Sequence, residues 1–497
     1  MPFSKEYIQK LQEHFVHLHN HSDYSNLRLL DSINKIKDMI IYVSSLGQKA
    51  LALTDHESLS GHIEFILTVE ELKKEGKIPQ DFKVILGNEI YLVDEETMKE
   101  EINDSNSTSF YHFLLLAKDN EGHRMLRELS TRAWLRMFNF KNMDRVPTYY
   151  SDFEEVVGDN IGHLIGSTAC LGGYFPRLVT TLLNTEDEII QENIKDEIDD
   201  FIMWCIGIFG QDDFYIELQP SLNQEQIDFN NKAIQIAKAY GLKHIITTDS
   251  HYLTLDNKSI HEAYLTSNEE GNSNREVGEF YQSTHFFTME DLMKNMRYLD
   301  VQDFEQAINY TYEIQDKVIG YNLANDQEIP LTPIPPKSTW KKHKELYEYA
   351  KDYDNVQAMI ESEDNIYNQY LINLTFNGIE KRIKNKQEYN QVFERMNIEC
   401  KELLGISEAK QQPVSGYFTT MEKIIDIIWN EAEAIVPPGR GSAGGYIIDY
   451  LVGITQVNPL KQGVEMPHFR FISAERPDYP KQYWGWMVNP IKGCMVI

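Results

Sequence analysis

Between Phe15 and Tyr252 the sequence repeats one pattern seven times: a short β-rich apolar run, then a longer stretch of mixed polar and apolar residues. The runs are FVHLHNH (15–21), ALALTDH (50–56), KVILGNEIYLV (83–93), HFLLLAK (112–118), HLIGSTAC (163–170), FYIELQ (214–219) and HIITTDSHYL (244–253). The stretches between them carry helical signals. In 225–241, Ile227, Ala233 or Ile234, and Ala237 recur at helical spacing, and Gly241 stops the pattern. The segment 191–209 is similar and ends at Gly210. Strand–helix alternation of this kind points to an α/β fold, either a barrel or a doubly wound sheet.

The runs also place metal-binding side chains late in strand after strand. His19 and His21 are two apart, so their rings leave one strand on the same face. Asp55 and His56 end the second run, Glu89 lies late in the third, Cys170 ends the fifth, and Asp249 and His251 repeat the x-spaced pair in the seventh. In α/β barrels the strand ends converge on one rim, where a site is assembled. A lone strand histidine is usually a hydrogen-bonded core or surface residue, and a lone cysteine a small buried hydrophobe. His112, which begins its run, has that ordinary reading when taken alone. His14, His17, His62, His123, His163, His244 and His261 are expected to be structural or exposed. The collected set is another matter: histidine, carboxylate and thiolate together suit zinc, or manganese or iron where oxygen ligands dominate.

Charge narrows the function. With 47 Lys+Arg against 77 Asp+Glu the 497-residue chain has a formal charge of −30, which disfavours a simple basic coat for nucleic acid. Contact with a phosphate backbone would have to be local or helped by bound cations. No apolar run approaches the ~18 residues of a membrane span, and the first fifteen residues lack the apolar core of a secretory signal. The four cysteines are scattered and form no disulfide framework. The expected setting is cytoplasmic.

Taken in order, FVHLHNHSDYSNLRLLDS, ALTDHESLSGHIEF, GNEIYLV, GSTACLGG, FYIELQ and TTDSHYL resemble the PHP (polymerase and histidinol phosphatase) domain. The form they resemble opens the alpha subunit of bacterial DNA polymerase III, a C-family replicative polymerase, and the likeness runs from about residue 15 to 480. It implies a distorted seven-stranded (β/α) barrel over 1–285 with a trinuclear metal centre. Its ligands would be His19, His21, Asp31, His56, Glu89, His112, Cys170, Asp249 and His251. Asp31 is displaced by extra residues in NLRLLDS. Asp249 and Asp55 are the expected catalytic carboxylates, Asp55 as a bridging or supporting group. Two to three zinc or manganese ions and metal-dependent 3′→5′ proofreading follow from the resemblance. DNA is then the partner, and no membrane is. The alternatives are a free-standing phosphoesterase for a small phosphate monoester, and a non-catalytic scaffold whose metals brace the barrel.

A proline-rich linker (Pro330, Pro333, Pro335, Pro336) follows a helical region at about 289–325, and 337–430 is charged and helical in pattern. KRIKNK (381–386) reads as a solvated helix face. Then comes PPGRGSAGG (437–445), where glycines let backbone amides approach an anion, with a helix start behind them. It resembles the GPGRGSAAGS motif that holds the incoming nucleotide in the same polymerases. That implies a partial nucleotidyltransferase-like palm (α+β) over 286–480, with Arg440, Gly441 and Ser442 as nucleotide contacts. YFTTMEKIIDII (417–428) would be its strand and helix, and Tyr446 stands where a small residue is usual. In the intact palm the metal is magnesium. The catalytic PDxDxDF-like stretch is not found: Asp478 falls short of the position, and after Pro480 the chain reads KQYWGWMVNPIKGCMVI. No polymerisation, weak or no dNTP binding and no sliding-clamp contact are therefore expected. Residues 481–497 read as a non-family tail, as from an exon read into intervening sequence of a bacteriophage gene, with a frameshift as the runner-up. The apolar surface around Tyr446–Ile454 is expected to be exposed or unstable for want of the rest of the palm.

Overall fold

Apolar and β-branched runs form strands where both faces find packing partners; six of the seven do so, and the first, 15–21, lies extended with a single bridge pairing on each side. The computed structural model describes residues 4–103, 110–140, 143–267, 283–323, 328–432, 434–439, 441–461 and 466–473. The chain divides into two compact units, 1–323 and 324–497.

The first unit contains β1 (Ala50–Leu53), β2 (Lys83–Val93), β3 (Tyr111–Ala117), β4 (Phe138–Phe140), β5 (Met143–Arg145), β6 (Pro147–Tyr149), β7 (Leu164–Ser167), β8 (Phe214–Leu218) and β9 (Lys243–Ile246). The main sheet runs β1-β2-β3-β7-β8-β9, with β6 beside the end of β2, and β4 and β5 form a separate hairpin. The extended segment 16–21 fills the gap between the two edge strands. His17 pairs with Leu51 on one side and Asn20 with Ser250 on the other, both parallel. The Ala52 amide donates to the His17 carbonyl at 3.0 Å, and the His21 amide to the Ser250 carbonyl at 2.9 Å. The buried Asn20 amide locks this seam, donating to the carbonyls of His17 (2.9 Å) and Ala52 (3.1 Å). The result is a curled, mixed ring of seven members with helices around it. One buried layer takes a residue from every member, including Leu18, Ala52, Ile85, Leu116, Ile165, Tyr215 and Ile245.

One strand runs against the others. β3 is antiparallel to both β2 and β7, whereas β1–β2, β7–β8 and β8–β9 are parallel. The start of β3 therefore lies at the rim where the parallel strands end, and this brings His112 to the site although it opens its run.

The segment 286–323 belongs with the ring, beyond the boundary at 285 expected from sequence. Ile314 and Val318 pack into the seven-strand layer. The Tyr321 hydroxyl donates to the Ala117 carbonyl at 2.5 Å and accepts from the Leu86 amide at 3.1 Å. Among the described residues the second unit has helices and no strand. The strand expected at 417 is part of one helix, Ser415–Asn430. Its Thr419–Thr420 pair mimics a strand in sequence, but the hydroxyls are absorbed locally, on the Gly416 carbonyl (3.1 Å) and the Pro330 carbonyl (2.9 Å). Nor is the Tyr446–Ile454 run exposed as expected. Tyr446, Ile447, Ile448 and Leu451 are buried in a helical core with Phe376, Phe393 and Phe418. Asp478, Pro480 and the 481–497 tail lie outside the described residues. Among the described residues no helix is long and apolar enough to cross a membrane.

The helices His62–Lys74 and Asn120–Leu135 meet at an imidazole pair. His62 Nε2–H donates to the Gly87 carbonyl at 2.9 Å, so its Nδ1 accepts from His123 Nε2–H at 3.1 Å. Burial, and then repulsion from His123, pushes the His62 pKa down to about 3. The folded chain thus binds fewer protons here than the unfolded chain between pH 6.5 and about 3, and stability is lost as pH falls through that window. Neutralising His62 should relieve about 2 kcal/mol of this loss at pH 5. We expect thermal denaturation of His62→Gln to show a smaller drop in Tm from pH 7 to pH 5 than the parent; equal drops would contradict this account.

Candidate metal centre

Nine donors come to one rim. The seam segment supplies His19 and His21, the following loop Asp31, and the end of β1 His56. Glu89 lies within β2 and His112 near the start of β3, Cys170 follows β7, and Asp249 and His251 follow β9. All are buried except His112, whose side chain is 20% exposed. They form three overlapping donor groups: His21–His56–His251, His19–His21–Glu89–Asp249, and Glu89–His112–Cys170. Asp31 joins the first, with Oδ2 3.1 Å from His56 Nε2 and 3.4 Å from His251 Nε2.

Some donors hydrogen-bond one another, His56 Nε2 to Asp31 at 3.1 Å and His112 Nδ1 to Glu89 at 2.7 Å, but at the centre of the cluster close approach comes without hydrogen-bond geometry. His19 Nε2 lies 3.4 Å from Glu89 and 3.3 Å from Asp249, and His21 Nε2 lies 3.3 and 3.0 Å from the same carboxylates. His56 Nδ1 is 2.6 Å from Glu89 Oε2. Yet His19 Nε2, His21 Nε2, His56 Nδ1, Asp31 Oδ1, Glu89 Oε2 and Asp249 Oδ1 are all buried without a hydrogen-bond partner. Buried polar atoms are ordinarily paired. Atoms that converge on the spaces between them, and not on one another, fit a cation in those spaces, and the imidazole, carboxylate and thiolate set is chemically suited to divalent metal.

The electrostatics agree. Burial opposes charge throughout, but Asp249, Glu217 and Glu89 hold His19 well above the ordinary histidine range, and Asp31 and Glu89 do the same for His56. Burial opposes the charge on Asp31, Glu89 and Asp249 as well, and the imidazoles around them pull all three carboxyls down. His21, facing His56 and His251, is pushed down to about 3 by burial and then by both neighbours. Burial, and then Asp249, raises the Cys170 thiol. Carboxylates and imidazoles here stabilise each other's charge in the way bound cations would.

Side chains behind the donors fix their orientation. His19 Nδ1–H donates to Glu217 at 2.8 Å, and Glu217 also accepts from Ser167 (2.8 Å) and Thr247 (2.6 Å). That leaves His19 Nε2 as the free donor atom, the usual role of a carboxylate behind a ligating imidazole. Sequence reasoning passed over Glu217, although a carboxylate inside the unbroken apolar strand FYIEL is itself a signal. His261, expected to be structural or exposed, is buried and bonds the Asp31 carbonyl at 2.6 Å. Asp55, expected as a bridging or supporting carboxylate, is held by two serines. Both its oxygens accept from Ser22, at 2.6 to 3.0 Å, and Oδ1 also accepts from Ser25 at 2.8 Å. Ser25 Oγ in turn meets His21 Nδ1 at 3.0 Å and the His56 amide at 3.1 Å, so the Asp55 contacts lead through Ser25 to two of the donors. The backbone is strained at the rim: Glu57, Ala169 and Asp249 have φ of 47°, 56° and 44°, a conformation that side-chain-bearing residues keep only where surroundings impose it.

In the second unit, Gly441–Gly445 forms a short 3-10 turn before the helix Ile447–Val452. Gly441 is exposed and Ser442 half-buried, while Arg440 lies outside the described residues. The helix start expected to face an anion is already occupied. The buried Glu399 carboxylate accepts from the Ile447 amide (2.8 Å) and the Ile448 amide (3.0 Å), and Arg395 Nε holds Glu399 at 2.9 Å. Any phosphate contact is therefore left to the glycine turn itself.

The PHP domain family matches residues 17–221. The chain carries a PHP domain, and residues 369–481 match the bacterial DNA polymerase III alpha NTPase domain. It is 40% identical over 476 residues to a DNA-directed DNA polymerase of Bacillus phage SPbeta, covering 93% of this chain and 36% of that protein. It is 28% identical over 486 residues to the DNA polymerase III subunit alpha of Aquifex aeolicus (strain VF5), covering 95% of this chain and 36% of that one. It thus spans about a third of the length of these relatives. The PHP match stops at 221, but the ring continues through β9 and takes Asp249 and His251 from beyond it.

If Glu217 orients His19 in the PHP domain, Glu217→Gln should lower metal retention about 10- to 100-fold. His123→Ala, which disturbs only the remote His62 pair, should leave it unchanged. Elemental analysis after dialysis against a weak chelator decides: equal retention in Glu217→Gln and parent would remove Glu217 from the site.

Proposed function

We propose that the PHP unit is a metal-dependent phosphoesterase that removes nucleotides from DNA 3′ ends. The observation that carries this reading is the buried set of unpaired donor atoms, drawn from the seam segment and its following loop, β1, β2 and the end of β9 onto one rim. Two to three divalent ions of the zinc or manganese kind, held by His19, His21, Asp31, His56, Glu89, His112, Cys170, Asp249 and His251, would polarise a phosphodiester and lower the pKa of a bound water. The chain's own contribution is orientation and exclusion of water. Glu217 keeps the His19 proton on Nδ1, Asp55 holds Ser22 and Ser25 behind His21 and His56, and the buried walls keep bulk solvent from the donors. Local cations would also let a chain of charge −30 accept an anionic substrate.

DNA comes into this reading from the polymerase relatives, and the working place would be the bacterial or infected-host cytoplasm. The glycine turn at 441–445, with Arg440, would contact a nucleotide phosphate weakly or not at all. Because the 497 residues contain no PDxDxDF-like stretch, we expect no primer extension from this polypeptide.

The test is a nuclease assay on 5′-labelled single strands with added Mn²⁺ or Zn²⁺. The parent should shorten strands from the 3′ end, and Asp249→Asn or His21→Ala should reduce the rate at least about 100-fold, the scale expected when a metal ligand is lost. A double variant that digests as fast as the parent would assign the activity to a contaminant. Hydrolysis of histidinol phosphate without trimming of DNA would replace this reading with the small-monoester phosphoesterase.

A further inference from the structure

Arg28 stands in the extra residues that lengthen the loop between His21 and Asp31, and nothing argued above uses it. It is only 9% exposed, and its Nε, Nη1 and Nη2 are all buried without a hydrogen-bond partner. A buried, permanently charged guanidinium with unsatisfied N–H groups is costly and is ordinarily paired. Its position shows what it faces. The guanidinium carbon lies 5.1 Å from the centroid of the Tyr91 ring, and that ring stacks on His56 at 6.2 Å and meets His112 edge-on at 4.9 Å. Arg28 is thus one ring removed from two of the donors.

The nearby carboxyl group does not pair with it. Glu57 accepts from the Tyr91 amide through Oε1, and its Oε2 has no partner. A second guanidinium lies close by. Arg145, at the end of β5, sits 4.6 Å from the Phe110 ring centroid with Nε unpartnered, and burial and then the charge of Arg28 lower its pKa. Arg28 thus presents an unpaired donor fork of the kind that matches phosphate oxygens, with Arg145, unpartnered at Nε, as a second cation near enough to repel it.

We propose that Arg28, supported by Arg145, forms an anion seat beside the metal centre that takes non-bridging oxygens of a phosphate group. The seat deepens the phosphoesterase reading, on which its catalytic meaning rests, but its occupancy can be measured without that activity. Arg28 would clamp the phosphate while the donor cluster faces the bond to be broken.

The probe is inorganic phosphate, titrated calorimetrically into the full chain in two states, stripped with EDTA and loaded with Mn²⁺. The parent should bind phosphate in both, more tightly when loaded. Arg28→Met should weaken binding at least about tenfold in each state, and Arg28→Lys should fall between. Metal content by elemental analysis should not change in either variant, and Tm without phosphate should not fall, because an unpaired buried cation is being removed. Phosphate affinity unchanged in Arg28→Met overturns the seat, as does absence of phosphate binding by the parent in both states. A fall in Tm with unchanged affinity would assign Arg28 to bracing the loop over Tyr91 and also overturns it. If the parent retains no metal, the metal-centre reading fails, and the stripped-state comparison still decides for Arg28.

Discussion

The Glu89 carboxylate sits where two of the three donor groups overlap, buried and facing His19, His21, His56 and His112. A buried carboxylate is tolerated only if opposite charge or hydrogen-bond donors surround it. Those four imidazoles come from the seam segment, the end of β1 and the start of β3, so the compensation of one charge requires three parts of the ring to meet. Closure supplies the rest. Without segment 16–21 paired on both sides, His19 and His21 would not stand beside Asp249. The Asn20 side chain, bonded to two carbonyls across the seam, ties that closure to the backbone.

Around the donors lies a layer of groups with no claim on a metal of their own. Glu217, Ser25, Asp55 and His261 each bond a donor residue or the group that holds it. Their effect is to fix tautomer and ring angle, leaving Nε2 of His19 and His21 pointing at the shared space. The left-handed backbone at Glu57, Ala169 and Asp249 follows the same logic, since strain of this kind persists where tertiary contacts overdetermine a turn. It also re-aims side chains that a regular strand would have turned to the other face.

The second unit solves a related problem differently. Its apolar run after the glycine turn is not left open; it is absorbed into a helical core, with Tyr446 stacked on Phe418 at 6.1 Å and its hydroxyl donating to the Ile472 carbonyl at 2.8 Å. The helix Ile447–Val452 has its first amides satisfied by Glu399, and burial pushes that carboxyl up to about 7 against the pull of the two amides and Arg395. A helix end used this way is a structural joint. It leaves the glycine turn as the part of the motif still open to solvent.

Much of this was written in the order of residues. Seven apolar runs with helical stretches between them fixed the α/β class, because strand and helix periodicities are local properties of sequence. Seven of the nine donors stood out because their types are rare late in apolar runs, and Asp31 and His112 were reached only through the family resemblance. What sequence could not decide was anything that depends on which strands are neighbours and which way they run. His112 looked ordinary because strand direction is set by pairing, and only an antiparallel β3 brings its first residues to the rim. Asp55 was expected as a bridging or supporting carboxylate, and only the fold shows which partners its carboxylate takes, Ser22 and Ser25. Glu217, His261 and Arg28 acquire their meaning from contacts about 200, 230 and 60 residues away in the chain, with His19, Asp31 and Tyr91. In the second unit, threonines that favour strands in isolation were overruled by local hydroxyl bonds and a helical core. Composition and periodicity thus determined the elements and the donor chemistry; closure of the ring decided which atoms share a space, because proximity between distant residues is a property of packing alone.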